Sequence, residues 1–200
     1  MEFQKEYSVY DEENEVSVGY GIEGGSNTIL FIKAGHGGDC HGYEDKYVRI
    51  AKRIHEKYGC TVFCASNPVG DINMFPRDME NIKNYAHERG FDDYEIYFMG
   101  VSNGANQGLW RGCCYPEIKR MLFVNMPLMI NFHKTGKGLN DLADVDKIFV
   151  YGSRDESFKY VPFLEIKKAP KTQIKIFDGV DHQFRGEDEL FRSLPELLFF

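Results

Sequence analysis

A chain of 200 residues with 42% hydrophobic and 28% charged side chains has the size and composition of one globular domain. Aromatic residues at 14% argue against disorder, and a net charge of −7 gives no field that would draw the protein to nucleic acid or an anionic membrane. The first twenty residues hold no apolar run of signal-peptide length, and no stretch reaches the ~18 apolar residues of a membrane helix. Of the five cysteines, Cys113 and Cys114 are adjacent, Cys60 and Cys64 share an expected strand, and none form a CxxC pair. Reduced thiols in a cytoplasmic protein fit this pattern better than a disulfide framework or a zinc knuckle.

In chain order, alternation at Val16, Val18, Tyr20 and Ile22 predicts a half-buried strand, paired with Tyr7–Tyr10 across the Asp11–Asn14 turn as an antiparallel hairpin. After Gly24-Gly25 the pattern changes to short continuous apolar runs, the signature of parallel strands buried on both faces. They are Thr28–Lys33, Thr61–Ala65, Glu95–Met99, Met121–Asn125 and Ile148–Tyr151; the more alternating Gln173–Phe177 reads as an edge strand. Helical spacing falls between them. Tyr47, Ile50, Ala51, Ile54 and Tyr58 lead to a capping Gly59, and Met79, Ile82 and Ala86 lead to Gly90. A third helix follows Gly100 and ends near Pro116, and a fourth spans Phe158–Lys167. A fifth carries Leu190, Leu194, Leu197 and Leu198, with a break at Pro195. Alternating strands and helices predict an α/β fold: one doubly wound, mostly parallel sheet flanked by helices, with the hairpin at its N-terminus. Ligands of such sheets bind beyond the carboxyl ends of the strands.

Four motifs fall at those ends. Gly100-Val101-Ser102-Asn103-Gly104 sits between a strand and a helix, where a sharp turn exposes a nucleophilic serine and only glycine fits on either side. A glycine-rich turn is the plainer reading of this pattern alone. Gly35-His36-Gly37-Gly38 follows the first parallel strand and offers backbone N–H groups to a developing oxyanion, together with that of Asn103. Gly38 is the first choice of donor there and Gly37 the second. Asp155 follows the Ile148–Tyr151 strand, where a carboxylate can orient an imidazole; Glu156 is the alternative. His182 lies in the loop after the edge strand, unlike His55, His87 and His133, which read as ordinary core or surface residues.

From about Thr28 onward the chain resembles a small α/β-hydrolase of the esterase and lipase type, in which nucleophile, acid and base follow the order of Ser102, Asp155 and His182. The glycine loop departs from the lipase pattern, with Asp39 in place of a third glycine. The resemblance implies a serine hydrolase that cleaves a small carboxylic ester or thioester through an acyl-enzyme, without a cofactor. Acyl transfer with the same residues, peptidase action, and a binding protein on a hydrolase scaffold are the alternatives. The family's cap region corresponds here to Pro127–Lys147, room for a loop and a short helix, so the site should be open. Its walls are expected from Asp39–Glu44, Asn67–Phe75 and Leu128–His133, with Tyr43, Met74, Phe75, Met129 and Phe132 as lining. A metal is not expected, since His36, Asp39, Cys40 and His41 match no zinc spacing.

Overall fold

Period-two alternation decides which side chains meet which helices. The computed structural model describes residues 1–70 and 72–200. Strands β1 (Lys5–Asp11) and β2 (Val16–Glu23) form the antiparallel hairpin. They precede β3 (Ser26–Lys33), β4 (Cys60–Ala65), β5 (Glu95–Val101), β6 (Ile118–Val124), β7 (Asp146–Gly152) and β8 (Thr172–Phe177). Among the described residues these make one eight-stranded sheet in the order β1-β2-β4-β3-β5-β6-β7-β8, parallel from β4 to β8. The strand at the far edge is β8, as its alternation predicts.

Helices α1 (Lys46–Tyr58) and α6 (Asp188–Ser193) cover one face, where Val48, Ile54 and Phe191 pack on Leu30, Ile32, Met99 and Leu122. Helices α2 (Phe75–Glu88), α3 (Asn103–Arg111), α4 (Phe132–Asp141) and α5 (Val161–Lys167) serve the other. There an aromatic row crosses β4, β3, β5, β6 and β7, with Phe63–Phe31, Phe31–Phe98, Phe98–Phe123 and Phe123–Phe149 centroids 6.5, 5.4, 6.2 and 4.6 Å apart. Each fully buried ring contributes about 1.5–3 kcal/mol, so this row ties β4, β3, β5, β6 and β7 together on that face.

Helix ends follow local chemistry. Gly59 takes a left-handed φ of 67° and its N–H closes α1 on the His55 carbonyl. The expected Phe158–Lys167 helix is divided: a 3-10 turn over Glu156–Tyr160 precedes α5, because Pro162 has no N–H and belongs in a first helical turn. Pro195 likewise starts a 3-10 turn, Leu194–Phe199, directly after α6. Pro127–Lys147 holds a 3-10 turn at Leu128–Ile130 and then α4.

The last residue of β3 carries a charge into the core. Lys33 Nζ lies 2.7 Å from Asp78 Oδ2 of α2 with both side chains fully buried, and it donates to the Ser66 carbonyl at 2.6 Å. The Tyr20 hydroxyl donates to Asp78 Oδ1 at 3.0 Å. All five cysteines are free thiols, and no described helix is long and apolar enough to cross a membrane.

Candidate active site

The carboxyl ends of β5, β7 and β8 bring three distant residues together. β5 turns into α3 through Ser102, whose backbone is held at φ 52°, ψ −121°. A side chain at φ > 0 is strained, at a cost of about 1–3 kcal/mol, and here the Ser102 N–H is fixed to the Val124 carbonyl at 2.8 Å. The turn is so tight that a Cβ at residue 100 would sit 2.5 Å from Ala105 Cα, and one at residue 104 2.4 Å from the Ala34 carbonyl oxygen. This is the steric reason for glycine on both sides of the serine.

His182 Nε2 lies 3.1 Å from Ser102 Oγ, and Nδ1 is hydrogen-bonded to Asp155 Oδ2. The Asp155 side chain is fully buried, and its other oxygen accepts from the Ser157 N–H at 2.6 Å. Glu156 points to solvent. The hydrogen bond to the Asp155 carboxylate raises the His182 pKa above the ordinary 6.5, against the opposing effect of burial.

The loops that carry these groups are fastened by Asn125, which sequence reasoning missed. It follows β6 in a left-handed conformation, φ 47°, and is fully buried. Its Oδ1 accepts from the Gly152 N–H at 3.0 Å and its Nδ2 donates to the His182 carbonyl at 3.1 Å, so one side chain holds both the Asp155 loop and the His182 loop. The only trace in the sequence is an asparagine after an apolar run, the residue type that tolerates this backbone.

In the glycine loop, the Gly38 N–H donates to the Gly35 carbonyl at 2.9 Å, closing a turn, while the Gly38 carbonyl accepts from the Asn67 N–H at 2.8 Å. Both backbone groups of Gly38 are thus engaged. His36 and Gly37 are exposed at the tip, and their N–H groups have no acceptor among the described residues. Asn103 opens α3, so its N–H has no acceptor within the helix. The Asn103 side-chain oxygen accepts from Asn67 Nδ2 at 3.1 Å and Gln107 Nε2 at 3.2 Å.

The residues expected as lining lie in different settings. Met129 and Phe132 are partly exposed on the segment after β6, and Phe132 packs on Phe163 and Tyr160 with centroids 4.7 and 5.8 Å apart. Met74 and Phe75 are core residues instead: Phe75 is buried against Phe31, Phe98 and Tyr115. Residue 71 of the expected wall lies outside the described residues. Tyr43 is 80% exposed and lines a cavity of about 630 Å³ with Phe184, Arg185 and the α6 residues Asp188 and Phe191, which none of Ser102, Asp155 and His182 lines. The left-handed backbones of Gly42, Glu44 and Asp45 bend the chain that way. His41 faces Glu6 and Asp45, and no group of three or more metal-ligating side chains occurs among the described residues.

The strand order, the helices on both faces and the elbow after β5 are those of the α/β-hydrolase fold, and the chain has that fold. No sequence-family model matches the chain, and no curated protein matches it. Solved structures do. A serine hydrolase homologue from Coxiella burnetii superposes with a TM-score of 0.72 over 99% of this chain and 97% of its own, at 16% identity. Est1E from Butyrivibrio proteoclasticus gives 0.73 over 96% and 97% at 14% identity. A dienelactone hydrolase from Anabaena variabilis gives 0.70 over 98% and 96% at 12% identity.

Proposed function

We propose that this chain is a serine hydrolase that cleaves a small carboxylic ester or thioester through an acyl-enzyme. The observation that carries this reading is the unbroken contact from Asp155 through His182 to Ser102, at an elbow that holds Ser102 at a positive φ. Ser102 Oγ attacks the carbonyl carbon while His182 Nε2 takes its proton, and the buried Asp155 carboxylate stabilises the imidazolium. His182 then protonates the leaving alcohol or thiol, and the same groups activate water to release the acid. The oxyanion needs two N–H groups. Asn103 supplies one, and the loop tip, Gly37 or His36, supplies the other, since Gly38 spends its N–H on Gly35. Structural neighbours support the substrate class: one is Est1E with ferulic acid bound, another the thioesterase domain of the curacin biosynthetic pathway, at 14% and 10% identity.

Hydrolysis of p-nitrophenyl acetate and labelling by a fluorophosphonate probe test the reading. Ser102→Ala should stay folded, take no label and lose roughly 10⁶-fold in kcat, the loss typical of a triad nucleophile. A folded Ser102→Ala protein with more than a tenth of the activity would overturn the assignment.

A further inference from the structure

Oxyanion stabilisation depends on two donors carried by separate loops, and such a hole works only if the loops keep their spacing. The Asn103 end is set by the elbow, whereas the glycine loop after β3 is exposed at its His36–Gly37 tip and rich in residues without side chains to pin it. Something else must fix the distance between them.

The buried side chains of Asn67 and Gln107 lie between the two loops. The Asn67 N–H donates to the Gly38 carbonyl at 2.8 Å, and its side chain donates to Asn103 Oδ1 at 3.1 Å. One residue therefore grips both donor-bearing segments. Gln107, one helical turn beyond Asn103, donates from Nε2 to Asn67 Oδ1 at 2.9 Å, to the Ile72 carbonyl at 3.1 Å and to Asn103 Oδ1 at 3.2 Å. The Ile72 carbonyl can only accept, so the nitrogen end of Gln107 must face this cluster. Its oxygen, Oε1, is buried without a partner among the described residues, a cost that the opposite amide orientation would not relieve.

We infer that Asn67 and Gln107 are positioning residues that lock the glycine loop to the nucleophile elbow and so set the geometry of the oxyanion hole. Neither touches the reacting atoms; they act through the Asn103 and Gly38 backbones. The inference rests on the hydrolase reading above. It goes beyond that reading in assigning to a helix glutamine and a loop asparagine a share of transition-state binding.

Gln107→Met and Asn67→Ala test this in the full chain, alongside wild type and Ser102→Ala. Each variant removes side-chain donors and leaves the Asn67 N–H in place. Misplacing a donor should lower kcat for p-nitrophenyl acetate by roughly 10- to 100-fold with KM within about twofold, short of the 10²–10³ for losing a donor outright. Affinity for an alkyl trifluoromethyl ketone, whose adduct carries the oxyanion, should weaken in parallel with kcat. A merely structural role would lower the melting temperature but leave kcat per folded molecule unchanged. If either folded variant keeps kcat and ketone affinity within twofold of wild type, the inference is wrong while the hydrolase reading stands. Should wild type be as inert as Ser102→Ala, both fall together.

Discussion

In the proposed mechanism, whether His182 is neutral decides whether Ser102 can lose its proton. Its pKa is raised, first by the Asp155 hydrogen bond, so the acidic limb of kcat/KM should lie above that of an ordinary histidine. Asp155→Asn should move that limb down and lower kcat by about 10⁴-fold, the loss seen when a triad loses its charged orienting group. A pH–rate series on both proteins checks this, and a limb that stays in place would assign it to another group. The sign for stability is the reverse of that for activity. A raised folded-state pKa adds stability that is fully present below the unfolded pKa and is lost as pH rises through the folded one. Which residues meet at the strand ends was legible because motif, chain order and strand position agree. The fastening residues were not. Asn125 acts through a left-handed backbone and contacts with Gly152 and His182, and Asn67 and Gln107 through pairing between a loop and helix α3. The setting of Tyr43 was illegible for a related reason, since nothing in its neighbours announces left-handed turns at Glu44 and Asp45.

At the level of elements, the parallel strands and most helices follow from apolar runs and helical spacing, while their ends depend on proline and left-handed residues. A lysine closing an apolar run reads as a strand end reaching water. Lys33 instead points inward to Asp78, because α2 presents a carboxylate that only the folded arrangement brings there. Lys33→Met leaves Asp78 buried and unpaired, and should cost about 3–5 kcal/mol in urea unfolding. The double variant Lys33→Met/Asp78→Leu should be closer to wild type than either single change, since an apolar pair of similar volume replaces a desolvated ion pair. Single variants that unfold within 1 kcal/mol of wild type would show that the pair adds little.

Taken whole, the molecule devotes little chain to covering its site. The segment after β6 supplies one 3-10 turn and α4, with Met129 partly exposed and Phe132 partly exposed beside the Tyr160 and Phe163 rings. Each methylene buried there gains about 0.8 kcal/mol, nearly fourfold in kcat/KM, and a methylene left in water gains nothing. Activity on p-nitrophenyl esters should therefore peak between acetyl and hexanoyl, without activation at a lipid–water interface. Palmitoyl esters outpacing butyryl esters would reveal walls longer than these. The parallel order of the sheet has a further consequence, in time. Ser102 and His182 stand 80 positions apart, just beyond β5 and β8, three strands from each other in the sheet, and Asp155 lies just beyond β7, one of the two strands between. Non-local parallel pairing is slow, with folding on the millisecond-to-second scale or longer. Helices and the β1–β2 hairpin close locally and early, yet no early fragment holds more than one member of the contact chain. On dilution from urea, circular dichroism should recover first and esterase activity last, rising only when β8 docks on β7 and delivers the histidine.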